Sequence, residues 1–544
     1  MALDKETLFG DLQKEYPTHN GHRNEVSPGG AIIYDSALKL KPEDIGRPDV
    51  NLYPIPYMDV LLGALKETGH DRELSKYQVM ANTVAFGASM ALIDYDFDHV
   101  AEAIKEGFSG RKAALGDLNV KAARHAYDYV KKTFPNNFPY KLHPVPSKEK
   151  RLLIRAVQAV GIAKFKAGCA IQTYYPITPA TDESEYLENH QKDYNIVVVQ
   201  TEDEISAILM ATGAAHAGVR ASTSTSGPGF SLMAEGLGWA AHTEAPGPVV
   251  ILYQRTGPST GLPTRTEQGD LQFALHAGHG EFPRMVIAPG DAVECFYDTF
   301  DAFNYAERFQ MPVIVIADKF MASSYRTVSM FDTNELRIDR GQILTESDLE
   351  NRPLYKRYEF TPLGVSPRVV PGTKGGIFHT TGDEHDELGH ITENSEMRIK
   401  MMQKRMRKLQ LAAESIADSK KVNFFGPEKA EVTLVGWGST KGAILDGMQD
   451  LEGDGIRCNY LQVRYMSPFP TQLVLKYLSN AKKKVLIENN YSGQLGALIR
   501  EHTGIAVDCK VLKYNGRPFS QNEVYEGVKD AIKNGVKEVV MAHA

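Results

Sequence analysis

At 544 residues, with 42% hydrophobic and 24% charged residues, the chain has the composition of a soluble globular protein too long for one core, and about three or four domains are expected. A net charge of -7 gives no reason to expect nucleic acid or an anionic membrane as partner, and no apolar run approaches the ~18 residues of a membrane span. The first residues, Met1-Ala2-Leu3-Asp4-Lys5-Glu6, lack the apolar centre of a signal peptide, so the expected location is cytoplasmic. Cys169, Cys295, Cys458 and Cys509 are scattered, with no C-x-x-C pair, so an iron–sulfur cluster is not expected in this chain.

In chain order, the turn Pro28-Gly29-Gly30 precedes a short strand at 31–34, and helical periodicity follows at 79–93, 98–108 and 118–134. Pro135, Pro139, Pro144 and Pro146 mark a linker after this first region, residues 1–140. Residues 150–325 alternate helices and strands in the manner of a doubly wound parallel sheet. A helix is predicted over 151–167, with Leu153, Ile154, Val157 and Val160 on one face. Strands are predicted at 196–199, 220–225, 248–253, 284–288 and 312–317, and a helix at 205–217. Right-handed crossovers collect the loops on one edge, which would gather Thr178, Glu204, Ser226 and Arg255 from four connections.

Residues 326–430 read as a connecting region with a long helix at 397–417. His379, His385, Asp386, Glu387 and His390 superficially suggest metal ligands, but their spacing matches no zinc pattern, so a polar loop and no metal are expected. Residues 431–544 resume the alternation, with strands at 432–436 and 485–487.

Five motifs occur in one order: Tyr175-Pro176-Ile177-Thr178-Pro179, Glu202-Asp203-Glu204, Thr225-Ser226-Gly227-Pro228-Gly229-Phe230, Arg255-Thr256-Gly257-Pro258-Ser259-Thr260-Gly261-Leu262-Pro263-Thr264, and Gly278-His279-Gly280-Glu281-Phe282-Pro283. Together they resemble the α subunit of the 2-oxoacid:ferredoxin oxidoreductases, over roughly residues 150–544. The fused γα type is the nearest likeness, and within it the 2-oxoglutarate enzymes. The resemblance implies an α/β fold with three parts. These are a doubly wound, pyrimidine-type thiamine-diphosphate domain at 150–325, a transketolase C-terminal-like domain at 431–544 and an incomplete γ-like domain at 1–140. It also implies oxidative decarboxylation of a 2-oxoacid with CoA as cosubstrate. Thiamine diphosphate and Mg2+ would be held mostly by a β subunit that also carries a [4Fe-4S] cluster; ferredoxin is the acceptor and α2β2 the assembly. The family's opening glycine-rich turn is not visible, so the first domain is either shortened or entered partway.

Glu204 matches the family's carboxylate against N1' of the thiamine pyrimidine, and Glu202 competes with it inside the same T-E-D-E run. Both acids also suit a helix first turn on dipole grounds alone. Arg255 matches the substrate's 1-carboxylate anchor, a role suited to a bidentate guanidinium. Thr178 and Thr264 match hydroxyl donors to the same substrate. Ser226-Gly227-Pro228-Gly229 reads as a tight strand–helix turn near the cofactor, not a P-loop, since no G-K-[ST] follows. Gly453-Asp454-Gly455 with Asn489-Asn490 imitates the magnesium-diphosphate signature of thiamine enzymes. It precedes a strand instead of following one, so it reads as a helix C-cap turn. The implied substrate is 2-oxoglutarate, with pyruvate or several 2-oxoacids as the alternative. The rival classes are a thiamine enzyme without ferredoxin and a non-catalytic assembly subunit.

Overall fold

In a computed structural model that describes residues 1–10, 21–108 and 110–542, the chain forms two units that divide after Lys148. The first unit pairs β1 (Ala31–Asp35) and β2 (Asn51–Ile55) in parallel, so the strand expected at 31–34 is present. Helices Tyr57–Lys66, Ala81–Leu92, Phe97–Gly107 and Ala113–Thr133 surround them. Ala85, Ala88, Ala122 and Ala126 are fully buried between the helices, and a Cβ on Gly87 would stand 2.3 Å from the Ala123 carbonyl oxygen. Small side chains are what let these two backbones approach. The 79–93 helix starts two residues late, because 3-10 turns run from Asp71 to Met80. The proline-marked linker has no regular structure, yet its first half is tied down. Phe138 meets Tyr53 edge-on at 6.1 Å, and Leu142 N–H donates to the Ile93 carbonyl at 2.8 Å. Residues 11–20, part of the expected first domain, lie outside the described residues.

The second unit opens with a correction. Arg151–Ile154, predicted as the first turn of a helix, is strand β3. It pairs antiparallel with β10 (Arg326–Ser329), and the helix begins only at Ala156. The Gln158 side chain accepts the Arg155 N–H at 3.0 Å and so caps the helix one turn later than periodicity suggests. Leu153, expected on the buried face, is 68% exposed.

Between β3 and β10 lie β4 (Cys169–Tyr174), β5 (Val197–Gln200), β6 (Arg220–Thr225), β7 (Val249–Gln254), β8 (Met285–Ile287) and β9 (Val313–Asp318). After them come β11 (Val422–Phe425), β12 (Val432–Gly436), β13 (Cys458–Val463), β14 (Tyr465–Ser467), β15 (Lys483–Glu488), β16 (Cys509–Leu512) and β17 (Glu538–Val540). One sheet has the order β14-β8-β9-β7-β6-β4-β5, and all its pairs are parallel except β14 with β8. The other has the order β11-β13-β12-β15-β16-β17, with only β11 antiparallel.

Every residue of β6, β7 and β9 is buried, as strands covered on both faces require. Along β7, Val249, Ile251 and Tyr253 join the core beneath helices Ala156–Lys166 and Ala292–Phe309. Val250 and Leu252 join a core on the other face that also contains Trp437, Leu461 and Leu486 from the second sheet. The long helix expected at 397–417 is Ser395–Ser415, capped by the Asn394 side chain on the Met397 N–H. Its Lys404 and Lys408 are buried and both pair with Glu244. No described helix is long and apolar enough to cross a membrane.

Candidate active site

Four neighbouring parallel strands, β5, β4, β6 and β7, end on one edge. The chain runs outward from β4 to β5 and then returns to β4's other side as β6. That reversal opens a crevice beyond the strand carboxyl ends, where open α/β sheets bind ligands. The anticipated convergence of Thr178, Glu204, Ser226 and Arg255 on one edge follows from this strand order.

After β5, the Asp203 side chain accepts the Ser206 N–H at 2.7 Å and starts helix Glu204–His216. Asp203 therefore does the capping, Glu202 points to solvent, and Glu204 is only 5% exposed. Tertiary structure thus buries one of the two glutamates and exposes the other. Burial pushes the Glu204 carboxyl above its ordinary range.

After β6, Ser226 precedes the short helix Gly227–Leu232. A Cβ on Gly229 would fall 2.3 Å from Glu204 Oε1 and 2.2 Å from Thr225 Oγ1. Glycine here serves close approach: the Glu204 carboxylate lies directly on the Gly227-Pro228-Gly229 turn.

After β7, Arg255 is 8% exposed, and its Nη1 donates to the Thr178 main-chain oxygen at 3.0 Å. The two residues are thus in contact through Thr178's carbonyl, with the threonine side chain exposed. Burial draws the guanidinium's pKa down, while Asp270 pulls it up. Asp270 lies near it and Glu267 near Asp270, and both are absent from the motif reading. Burial pushes Asp270 up to about 6 against the pull of Arg255. Glu267 is pushed to about 7 by burial and by Asp270. The signal that could have found them is the spacing of two acids three apart, directly after the substrate-loop motif. Ser226 Oγ, Arg255 Nε and Asp270 Oδ2 are buried without hydrogen-bond partners. Orphaned polar atoms at a sheet's ligand edge fit a site shaped for a polar ligand.

The loop after Arg255 folds back on itself. Thr256 N–H donates to Arg265 O at 3.1 Å, and Leu262 N–H to Thr256 O at 3.1 Å. Gly261 has φ +51°, and a Cβ there would stand 2.0 Å from the Thr256 oxygen. Thr264 sits exposed on the returning limb, and its hydroxyl is not brought onto Arg255 by a described contact. Loops of the second sheet clamp this segment. Thr266 N–H donates to Gly516 O at 3.2 Å, and Gln268 N–H to Asn489 O at 2.7 Å. Asn490 Nδ2 donates to Gln268 O at 3.1 Å. The Asn489-Asn490 pair is therefore part of this clamp. Gly453 ends helix Thr440–Gly453, Gly455 takes φ +79°, and Asp454 accepts from Tyr525 Oη at 2.7 Å and pairs with Lys529 at 2.9 Å. The G-D-G is the helix-to-strand turn that capping logic implied.

The histidine-rich stretch is a loop, but a packed one. His385 is fully buried between the rings of Tyr358 and His242. His242, Glu384 and His385 bring ligand-type atoms within 4.8 Å of one another. Arg398 and Arg405 already engage the Glu384 carboxylate, so this group is an ion-pair cluster.

Three family profiles match the chain. Residues 162–404 match "pyruvate flavodoxin/ferredoxin oxidoreductase, thiamine diP-bdg", residues 2–129 match "pyruvate ferredoxin/flavodoxin oxidoreductase", and residues 430–531 match "pyruvate:ferredoxin oxidoreductase core domain II". The chain is 42% identical over 526 residues to a 2-oxoacid:ferredoxin oxidoreductase subunit alpha of Saccharolobus solfataricus, covering 94% of this chain and 80% of the relative. It is 29% identical over 508 residues to the 2-oxoglutarate oxidoreductase subunit KorA of Mycobacterium tuberculosis, covering 90% and 74%. Among solved structures it is similar to the 2-oxoglutarate:ferredoxin oxidoreductase from Magnetococcus marinus with 2-oxoglutarate, coenzyme A and succinyl-CoA bound. That likeness has a TM-score of 0.83 and 31% identity, over 94% of this chain and 86% of the other.

Proposed function

The chain belongs to the 2-oxoacid:ferredoxin oxidoreductase α-subunit family, and from that premise we propose that it works on 2-oxoglutarate, making succinyl-CoA and carbon dioxide while ferredoxin is reduced, or the reverse. The partner in this reading is a β subunit with the [4Fe-4S] cluster and most of the thiamine diphosphate and Mg2+ contacts, in a cytoplasmic α2β2 assembly. Residues 1–140 are its γ-like domain. The observation that carries the proposal is the meeting of buried Glu204, Gly229 and Arg255 on one sheet edge.

Thiamine diphosphate, when bound, supplies the electron sink for decarboxylation. The chain's own residues hold and orient. Glu204 holds a proton against the aminopyrimidine N1', a task favoured by its raised carboxyl pKa. The absence of a side chain at Gly229 lets the Glu204 carboxylate lie on this turn, where an added Cβ would strike it. Arg255 grips the 1-carboxylate, and Thr178 and Thr264 donate hydroxyl hydrogen bonds without adding charge. Gly229→Ala is expected to displace the Glu204 carboxylate and lower turnover of the assembled enzyme about 100-fold, read by anaerobic dye reduction with the circular dichroism unchanged.

The assay that tests the substrate is anaerobic reduction of a low-potential dye by the α/β protein, with CoA, thiamine diphosphate and either 2-oxoglutarate or pyruvate. CoA-dependent reduction with 2-oxoglutarate alone supports the reading. Equal rates with pyruvate favour broad specificity, the alternative suggested by the generic 2-oxoacid name of the Saccharolobus relative. No reduction with an intact iron–sulfur partner would remove the catalytic reading in favour of an assembly role.

A further inference from the structure

Asp270 faces Arg255 and has no part in the roles given above. Its position is held from two directions. Its N–H donates to Gln254 Oε1 at 2.9 Å, the side chain next to Arg255 in sequence. On the other side, Gly227 leaves room for Oδ2, because a Cβ there would stand 2.8 Å from that oxygen. Asp270 Oδ2 and Arg255 Nε are both buried and both lack hydrogen-bond partners. A buried carboxylate oxygen and a buried guanidinium nitrogen left unsatisfied at one site are atoms held ready for a third group.

We propose that Asp270 sets the affinity of the site for the substrate's 1-carboxylate, competing for the charge of Arg255 when ionised and releasing it when protonated. This rests on the reading of Arg255 as the carboxylate anchor. The charged group acting on Asp270 is Arg255 from the end of β7, and Asp270 in turn raises the pKa of Glu267 in the preceding loop. Gln254 and Gly227, which also meet it, are neutral. Burial opposes the anion, Arg255 favours it, and the carboxyl stands at about 6. An arriving carboxylate adds negative charge beside Asp270 and also draws on the Arg255 charge that had stabilised the anion. Both effects raise the Asp270 pKa on binding. Binding then takes up a proton, and by linkage the affinity falls as pH climbs above 6. Asn at this position would imitate the protonated form at every pH.

The test uses the α/β holoenzyme and oxamate, which carries the same carboxylate and adjacent carbonyl and does not decarboxylate. Its dissociation constant is measured by calorimetry from pH 6.0 to 8.5, in buffers of differing ionisation enthalpy. Native protein is expected to weaken about tenfold over that range and to take up a proton on binding. Asp270→Asn is expected to bind about tenfold tighter than native at pH 8.5, with a flat profile and no proton uptake. A native-like slope in Asp270→Asn, weaker binding at pH 8.5, or a slope abolished only by Glu267→Gln would each overturn the proposal. Should Asp270→Asn fail to assemble, absence of proton uptake in the native protein overturns it equally. Arg255→Met is the separate control. Unaltered oxamate binding in that variant defeats the anchor reading itself, whereas lost binding leaves the anchor in place and isolates Asp270.

Discussion

Glu204→Gln is expected to lower turnover of the assembled protein by about 1,000-fold with little change in the KM for the oxoacid. Glutamine keeps the shape and one acceptor but exchanges no proton, so only the step that depends on the carboxyl proton is lost. The helix survives the change because its cap belongs to Asp203. Stability should hold or rise, and the sign follows from burial. A carboxyl whose pKa is raised by folding disfavours the folded state once pH exceeds its unfolded value, and the cost is complete above the folded one. At neutral pH the amide removes that cost. Glu202→Gln, altering an exposed side chain, is expected to leave turnover near native. If Glu202→Gln proves the damaging change and Glu204→Gln does not, the assignment of the cofactor carboxylate is reversed.

The largest effect on stability is expected from Lys164→Met. Lys164 and Glu183 are both at zero exposure and form an ion pair at 2.5 Å. Lys164 also donates to Gln172 Oε1 at 2.7 Å and Ser224 Oγ at 3.1 Å, while Glu183 Oε2 accepts from Ser224 at 2.9 Å and Tyr253 Oη at 2.9 Å. Removing the cation strands a carboxylate in the core and is expected to cost about 3–5 kcal/mol. Replacing both charges, Lys164→Met with Glu183→Leu, should recover most of that, because the desolvation cost of the pair disappears with it. Thermal denaturation of the single and double variants reads the difference, and a double variant no more stable than the single one would contradict it. The network ends at Tyr253, two residues before Arg255, so the single variant should also loosen the site.

Much of the architecture was legible because buried parallel strands are written as unbroken apolar runs. Val249 to Tyr253 and Val313 to Ala317 are such runs, and each is a central strand. β4 carries no such signal, since Gln172 and Thr173 occupy its middle. Those polar residues are buried because Lys164, Ser224 and the Ala207 carbonyl meet them there. Arg151–Ile154 misled for the opposite reason. Apolar spacing over so few residues fits a helix face or an edge strand equally, and a partner 172–178 residues away decided for the strand.

The family resemblance, the order of the motifs and the candidates Thr178, Glu204, Arg255 and Thr264 were legible in the sequence, because each candidate lies inside one of the contiguous motifs on which the resemblance rests. The burial of Glu204 beside an exposed Glu202, the contact of Arg255 with Thr178, and the place of Asp270 near Arg255 were decided only by tertiary structure. Burial and charge proximity are properties of neighbours in space. The loops of β5, β4, β6 and β7 become neighbours through strand order, which local periodicity does not encode.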